Sequence, residues 1–320
     1  MTLRLPDHWV WDSWFVVDGE TVHAFFLHAP RSLGNPDLRH FRARVGHAVS
    51  RNLRSWEFRG EILGPGEDGA FDDLATWTGS VIRDGDGWLM AYSGVSHAEG
   101  GQVQRIGFAR SPDLDTWTRT GPVVEADPRW YEAGLEVRQT HWRDPWAFRT
   151  EDGVLHLLIT ARANTGPDDE RGVLGHAWSS DGGAAFEVGP ALSAPGELRQ
   201  LEVPQLVQLG PDRWVVLACA RTFDHSTTRR ARPGFVAESG TLVLEGRSPL
   251  GPFAIEPGPF LLGDPADRTY AGRLVTLHGH PYLMAWTDHV DGAFVGELGD
   301  PVPLAITASG RLVVATEGAA

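Results

Sequence analysis

Apolar runs of strand length recur along the whole chain, and turns rich in glycine and proline separate them. Five of these runs resemble one another: TVHAFFLHA, GWLMAYSG, GVLHLLITAR, RWVVLACAR and HPYLMAWTD. No stretch shows the apolar period of an amphipathic helix. The pattern therefore predicts an all-β protein.

A second motif accompanies these runs and indicates an internal repeat. Each copy is a β-type run, then a serine, then a turn, then an aromatic residue that opens another strand. The clearest copies are RVGHAVSRNLRSWEF (44–58) and RIGFARSPDLDTWTR (105–119), and the looser ones are VLGHAWSSDGGAAFEV (173–188) and LVLEGRSPLGPFAI (242–255). After the fifth run, GAFVGELG (292–299) takes this place without the serine.

One more apolar strand precedes each unit, and these strands begin near Trp11, Trp77, Asp144, Glu202 and Tyr270. Four strands that recur five times predict a five-bladed β-propeller, with four antiparallel strands per blade and an active site at the central channel. A pair of β-sandwiches would not explain a fivefold repeat. We expect one domain over residues 1–320 without a C-terminal β-sandwich, and loops on one face at 28–44, 64–76, 121–142, 162–172 and 222–240.

Charge and composition narrow the possible partners. The net charge of −14 disfavours nucleic acid and anionic membranes, which need basic patches, and leaves a small ligand as the expected partner. The single cysteine, Cys219, allows no intrachain disulfide, and its apolar surroundings predict a buried, inert thiol. Neither a signal peptide nor an apolar run of about 18 residues is visible, so we expect a cytoplasmic protein.

Acidic residues stand at the heads of three inner strands. They are Asp12 in VWDSWFVV, Asp144 in HWRDPWAF and Glu202 in LEVPQLV. One such residue alone would suggest a turn cap. Inner strands converge on the channel, so we expect the three carboxylates to meet, with Arg143 and Arg273 available to compensate their charge. Two carboxylates that flank a bond are typical of glycoside hydrolysis, and a third can hold sugar hydroxyls.

Aromatic and polar residues beside these carboxylates predict a sugar site. The chain has 13 tryptophans, and indole faces stack on the C–H surfaces of sugars. Trp142 is a further candidate for the channel wall. The residues that we expect to bind substrate are Trp11, Trp14, Trp77, Thr78, Ser80, Arg143, Tyr270 and Arg273.

Loop residues offer further candidates for a subsite. Arg221, Asp224 and His225 follow the second strand of the fourth unit. Glu136 and Gln139 precede the third inner strand in the same way. His141 stands next to that strand and is a weaker candidate, for which a place in the core or on the surface is the alternative.

These motifs resemble the five-bladed fructosidases and fructosyltransferases of glycoside hydrolase families 32 and 68. VWDSW (10–14) is similar to the levansucrase nucleophile motif, WTGS (77–80) to W-S-G-S, RDP (143–145) to the transition-state-stabiliser motif, EVP (202–204) to E-C-P, and YA (270–271) to the tyrosine motif of the fifth blade. The resemblance covers residues 9–275. It implies that Asp12 is the nucleophile, that Asp144 binds fructosyl hydroxyls and that Glu202 is the acid/base. Two departures are the missing N-D-P-N-G form and Val203 in place of the cysteine.

The resemblance implies a retaining hydrolase that acts on β-fructofuranosides by double displacement and needs neither metal nor cofactor. Four alternatives stay open: a levansucrase-like fructosyltransferase, another furanosidase such as an arabinofuranosidase, a sugar-binding propeller without catalysis, and a metal site formed by the three carboxylates. Hard cations need no aromatic walls, so the tryptophans disfavour the metal site.

Overall fold

Five antiparallel sheets follow one another along the chain, and a computed structural model describes them over residues 3–135, 137 and 139–315. In the first three sheets the strands pair in chain order. The first contains β1 (His8–Asp18), β2 (Thr21–Pro30), β3 (Arg44–Ser50) and β4 (Glu57–Leu63). The second contains β5 (Ala75–Asp84), β6 (Gly87–Val95), β7 (Arg105–Ser111) and β8 (Thr118–Val124). The third contains β9 (Trp142–Arg149), β10 (Leu155–Arg162), β11 (Gly172–Ser179) and β12 (Glu187–Gly189).

The last two sheets each add a fifth, short strand to this plan. The fourth contains β13 (Glu202–Gly210), β14 (Arg213–Ala220), β15 (Ser239–Gly246) and β16 (Ala254–Ile255), and β17 (Leu262–Asp264) also pairs with β15. The fifth contains β18 (Thr269–Leu277), β19 (His280–Val290), β21 (Val302–Ile306) and β22 (Leu312–Val314), and β20 (Ala293–Leu298) also pairs with β19. The segment 292–299, which the sequence predicted as a third strand, thus contains β20. Both β20 and β21 pair with β19, at different positions along it.

In the part of the chain that the structure describes, helical structure is confined to the loops. It consists of 3₁₀ turns at Arg31–Leu33, Pro36–Arg42, Asp168–Glu170 and Thr222–Asp224, and of one α-helical turn, α1 (Thr227–Arg230). Within the described ranges, no helix is both long enough and apolar enough to span a membrane.

Neighbouring sheets pack through their innermost strands and close a ring. The hydroxyl of Ser80 on β5 accepts from the backbone N–H of Ala147 on β9 at 2.8 Å. β1 packs against β18 and β20, and Leu3 bridges to Leu298, so the first and fifth sheets are neighbours. This arrangement confirms the five-bladed β-propeller, with β1, β5, β9, β13 and β18 as inner strands.

The repeated serine has a structural role. Ser50 Oγ accepts from the backbone N–H of Leu53 at 2.9 Å, and Ser111 Oγ accepts from that of Leu114 at 2.7 Å. The next indole then closes the turn: Trp117 Nε1 donates to the carbonyl of Leu114 at 2.9 Å. The motif is therefore a turn between outer strands, which is why it recurs without regard to the chemistry at the channel.

Candidate active site

Each inner strand has a bulge close to its start, and this bulge aims side chains at the channel. The pairing register shifts between Trp11 and Ser13, between Trp77 and Gly79, and across the equivalent positions of the other three blades. A bulge places an extra residue on one strand and re-aims its neighbours. Four non-glycine residues at these bulges have positive φ: Asp12, Asp144, Val203 and Ala271.

The bulges sort the inner-strand residues into two rings. The ring nearer the mouth holds the last paired residue before each bulge: Trp11, Trp77, Arg143, Glu202 and Tyr270. The ring below holds the first bulge residue: Asp12, Thr78, Asp144, Val203 and Ala271. Asp12 and Asp144 are thus equivalent. Glu202 lies one position earlier, which corrects the expectation that all three carboxylates occupy the same place.

Both rings open into one cavity of about 310 Å³. Nine of the ten ring residues line it; Ala271 is the exception. The remaining wall comes from the loops above the rings and from neighbouring strands: Leu27, Arg39, His40, Phe41, Gly101, Gln104, Gln139, His141, Gln200, Arg221 and Trp286. The cavity therefore brings together the three predicted carboxylates at one end of the channel.

Asp12 is held by two neutral donors from other blades. Thr78 Oγ1 donates to Oδ2 at 2.8 Å, and Trp286 Nε1 donates to Oδ1 at 3.1 Å. Burial and the negative charge of Glu202 raise the pKa of Asp12, whereas the Thr78 hydrogen bond and the charges of Arg39 and Arg221 oppose this rise. Its carboxylate is oriented but not paired with a cation by direct contact.

Asp144 lies deeper, and its side chain is 5% exposed. Thr160 Oγ1 donates to its Oδ2 at 2.9 Å, the Val203 N–H approaches the same oxygen at 3.3 Å, and Arg143 Nε lies 3.4 Å from it. Burial raises the pKa of Asp144 to about 6 despite Arg143, and the charges of Asp12 and Glu202 add to the rise.

Glu202 sits in the mouth ring between a cation and a phenol. Arg143 Nη2 donates to its Oε1, and the hydroxyl of Tyr270 donates to its Oε2. Burial alone would raise the pKa of Glu202, but the charge of Arg143 and the Tyr270 hydrogen bond outweigh it, so the pKa is lowered. Arg143 and Tyr270 thus favour the ionised form of Glu202, whereas burial favours the protonated form of Asp12 and Asp144.

Two imidazoles in the cavity wall are neutral. Burial and the charge of Arg39 lower the pKa of His40 to about 3. Burial and the charge of Arg143 lower that of His141 to about 2, and Arg143 Nη1 lies 2.8 Å from His141 Nδ1. At neutral pH, both rings act as hydrogen-bonding groups without charge.

Some predicted residues lie next to the cavity but outside its wall. Trp14 and Trp142 are fully buried in the core, and Ser80 links two blades. Arg273 is fully buried as well: its Nη1 donates to the Pro204 carbonyl, and its guanidinium lies 5.2 Å from the Trp146 ring. For these four residues, substrate contact stays a prediction that the geometry does not support.

Of the loop candidates, Arg221, Gln139 and His141 line the cavity. Asp224 and His225 are buried beside it, and Asp224 Oδ2 accepts from the Arg221 N–H at 2.8 Å. Glu136 lies outside the described residues.

Sequence reasoning missed the 3₁₀ turn that roofs the cavity and one indole. Arg39, His40 and Phe41 come from that turn, which is fastened to the second blade because Trp77 Nε1 donates to the His40 carbonyl at 2.7 Å. Trp286 lies on β19 directly opposite Tyr270. Pairing the first two strands of the fifth repeat in the sequence could have placed Trp286 opposite Tyr270. Nothing in the sequence of the loop indicated that Pro36–Arg42 covers the cavity.

A β-propeller that brings paired carboxylates and several indoles into one cavity has the equipment of a glycoside hydrolase. The sequence profile of the glycosyl hydrolases family 32 N-terminal domain matches residues 12–293. The chain therefore belongs to glycosyl hydrolase family 32, which confirms the resemblance seen in the motifs.

Relatives in sequence act on fructose-containing sugars, according to their names. An extracellular sucrase of Zymomonas mobilis is 28% identical over 195 residues, which cover 51% of this chain and 44% of the relative. A levansucrase of the same organism is 26% identical over 170 residues, covering 48% and 40%. A rice β-fructofuranosidase, insoluble isoenzyme 5, is 31% identical over 118 residues, covering 36% and 21%. The matched regions span less than half of each relative.

Solved structures share the fold over nearly the whole chain. Inulosucrase from Halalkalicoccus jeotgali, bound to kestose, superposes with a TM-score of 0.77 at 21% identity, covering 97% of this chain and 87% of the other. Bacillus subtilis levansucrase gives a TM-score of 0.73 at 15% identity, covering 98% and 87%.

Proposed function

We propose that this protein is a retaining glycosidase that cleaves β-fructofuranosides of the sucrose or fructo-oligosaccharide type. The observation that carries the proposal is the meeting of Asp12, Asp144 and Glu202 in one cavity walled by indoles. The names of the relatives, which include a sucrase, a levansucrase and a β-fructofuranosidase, point to the same sugar.

The first step forms a fructosyl–enzyme ester. An Asp12 oxygen bonds to C2 of the fructosyl unit as the bond from C2 to the glycosidic oxygen breaks. Glu202 gives its proton to that oxygen, so the leaving sugar departs with a hydroxyl group. Asp144 accepts hydrogen bonds from fructosyl hydroxyls and, through its negative charge, stabilises the oxocarbenium-like transition state.

The second step releases fructose. Glu202, now a carboxylate, removes a proton from water while the water oxygen bonds to C2 and the ester bond to Asp12 breaks. Two inversions give net retention, and Glu202 regains its proton. An acceptor hydroxyl in place of water would give transfer of the fructosyl group instead.

Substitution of the two reacting carboxylates tests these roles. We expect Asp12→Asn and Glu202→Gln each to lower kcat/KM for sucrose by at least about 10²-fold, the usual scale of acid–base contributions. Asp72→Asn and Glu132→Gln are matched controls, because both carboxylates are buried and paired with arginine outside the cavity wall. A loss smaller than that at Asp12 or Glu202 would contradict the assignment.

Product analysis tests the substrate class. Incubation with sucrose, raffinose, inulin and levan, followed by chromatography, should yield fructose. Fructosyl oligomers would identify a transferase. Release of arabinose from an aryl arabinofuranoside, with no fructosyl product from the four sugars, would overturn the proposal.

A further inference from the structure

Asp288 is a buried carboxylate that does not line the cavity. Its residue is 1% exposed, and it occupies a bulge of β19, where the register with β20 shifts between Thr287 and His289. Its N–H donates to the Arg268 carbonyl at 2.8 Å. A buried carboxylate requires a partner, and a bulge re-aims the side chain that it carries.

The partner of Asp288 is Arg221, which belongs to the neighbouring blade. Arg221 Nη1 donates to Asp288 Oδ2, and Nδ1 of His289 lies 3.0 Å from Oδ1. Burial lowers the pKa of Arg39, the roof cation above Trp11, and the charges of Asp12 and Asp288 oppose this fall. Asp288 is therefore a shared counter-ion for cations that face the cavity.

The ion pair fixes Arg221 over the groups that touch the reacting carboxylates. The guanidinium carbon lies 3.7 Å from the centre of the Tyr270 ring and 5.8 Å from that of Trp286. Tyr270 donates to Glu202, and Trp286 donates to Asp12. A cation at this distance from an aromatic face is attracted to it, so Arg221 stabilises the position of both rings.

Arg221 has four carboxylates within electrostatic reach. It contacts Asp288, its charge opposes the rise in the pKa of Asp12 and Asp224, and it helps to lower that of Glu202. The choice of carboxylate that forms an ion pair with the Arg221 guanidinium affects the reaction, because the proposed mechanism needs a proton on Glu202. A direct ion pair with Arg221, added to that with Arg143, would favour the ionised form of Glu202.

We propose that Asp288 is a positioning residue: it holds Arg221 on the Tyr270 ring and so keeps this guanidinium from pairing with Glu202. The inference rests on the proposed function, because it assigns Glu202 the proton-donating role. Asp288 acts through Arg221 and needs no contact with substrate.

Replacing Asp288 by asparagine keeps the shape and removes the charge. We expect Arg221 to turn towards Glu202, so that the share of the site with its proton on Glu202, and with it kcat/KM, falls by about tenfold or more. The other charged or titratable groups near Glu202 are unchanged in this variant: Arg143, Tyr270, Asp12, Asp144, Cys219 and Asp224.

Asp72→Asn is the matched control. Asp72 is buried, and its Oδ2 accepts from Arg119 Nε at 2.8 Å and from the Tyr92 hydroxyl at 2.9 Å, away from the cavity wall. Like Asp288, it is buried and paired with an arginine, so both variants should lose stability in urea. Only Asp288→Asn should lower kcat/KM and the pKa of Glu202.

A double variant and a direct titration complete the test. In Arg221→Gln/Asp288→Asn the guanidinium that would turn towards Glu202 is absent, so the Glu202 pKa should return towards its wild-type value. A carbon-13 NMR titration of the glutamate carboxyls, assigned with Glu202→Gln, should show a lowered Glu202 pKa in Asp288→Asn without any substrate. An unchanged Glu202 titration in Asp288→Asn would overturn the inference. A wild-type protein that turns over no fructoside would overturn the proposed function alone.

Discussion

The hydroxyl of Thr78 offers a sharp test of how the site controls the charge on Asp12. It donates to Asp12 Oδ2 at 2.8 Å, and the residue is 1% exposed. Valine has nearly the same shape, so Thr78→Val removes the donor while the cavity wall keeps its form. Water cannot readily replace the lost donor at so buried a position.

The size of the effect follows from the hydrogen bond. A hydrogen bond to a charged group is worth about 1.5–3 kcal/mol. Its loss raises the pKa of Asp12 by roughly 1–2 units, because one unit corresponds to about 1.36 kcal/mol. The proposed reaction needs a single proton, on Glu202 and not on Asp12. Because Asp12 then competes better with Glu202 and Asp144 for that proton, the productive share of the site falls, at most about 10- to 100-fold.

The assay is kcat/KM for sucrose from about pH 4 to about pH 8. The loss should be similar on the acidic side of the profile, because the division of one proton between two groups does not depend on pH. Thr76→Val is the control. Thr76 lies on the same strand as Thr78, and its Oγ1 donates to the carbonyl of Leu63 on β4 at 3.2 Å. It should cost about 1 kcal/mol in urea unfolding and leave kcat/KM unchanged. A folded Thr78→Val protein whose kcat/KM equals or exceeds that of wild type across this range would refute the reasoning.

Three further predictions concern the same cluster and its scaffold. Because burial raises the pKa of Asp144 to about 6, the cluster of Asp12, Asp144 and Glu202 loses its last proton near this pH. We therefore expect kcat/KM to fall at higher pH, and a flat profile up to about pH 8 would contradict this. Trp286→Phe removes the indole donor 3.1 Å from Asp12 and should lower kcat/KM about tenfold in steady-state assays. A Cβ on Gly79 would lie 2.3 Å from the Ala91 carbonyl oxygen. Gly79→Ala should therefore lose about 1–3 kcal/mol in urea unfolding.

The blades could be predicted from the sequence because their signals are local. In each repeat, the alternation of apolar and polar residues in a strand is followed within a few residues by a serine turn, such as those at Ser50 and Ser111. Each repeat therefore shows the same pattern. The offset between Glu202 and the two aspartates could not be predicted. A bulge is defined by the pairing of two strands, and the register of β13 with β14 is a property of both.

The roof of the cavity was missed for a different reason. The segment Pro36–Arg42 reads as a polar loop, and its place above the site depends on a hydrogen bond between distant parts of the chain, from Trp77 to the His40 carbonyl. Likewise, Arg273 was expected to bind substrate, but its side chain is buried against Trp146, outside the cavity wall. The depth of a residue along the channel depends on the bulge and is not visible in the sequence.

The two rings give the proposed roles a geometric basis. Arg273 packs on Trp146 outside the cavity wall, and we expect the leaving sugar and the incoming water to share the mouth of the cavity. The acid/base must serve both, and Glu202 lies in the mouth ring with its side chain 21% exposed. The group that holds fructosyl hydroxyls must stay with the bound sugar, and Asp144 lies one residue deeper with its side chain 5% exposed. The offset that places Glu202 outside the aspartate ring is therefore what the double displacement requires.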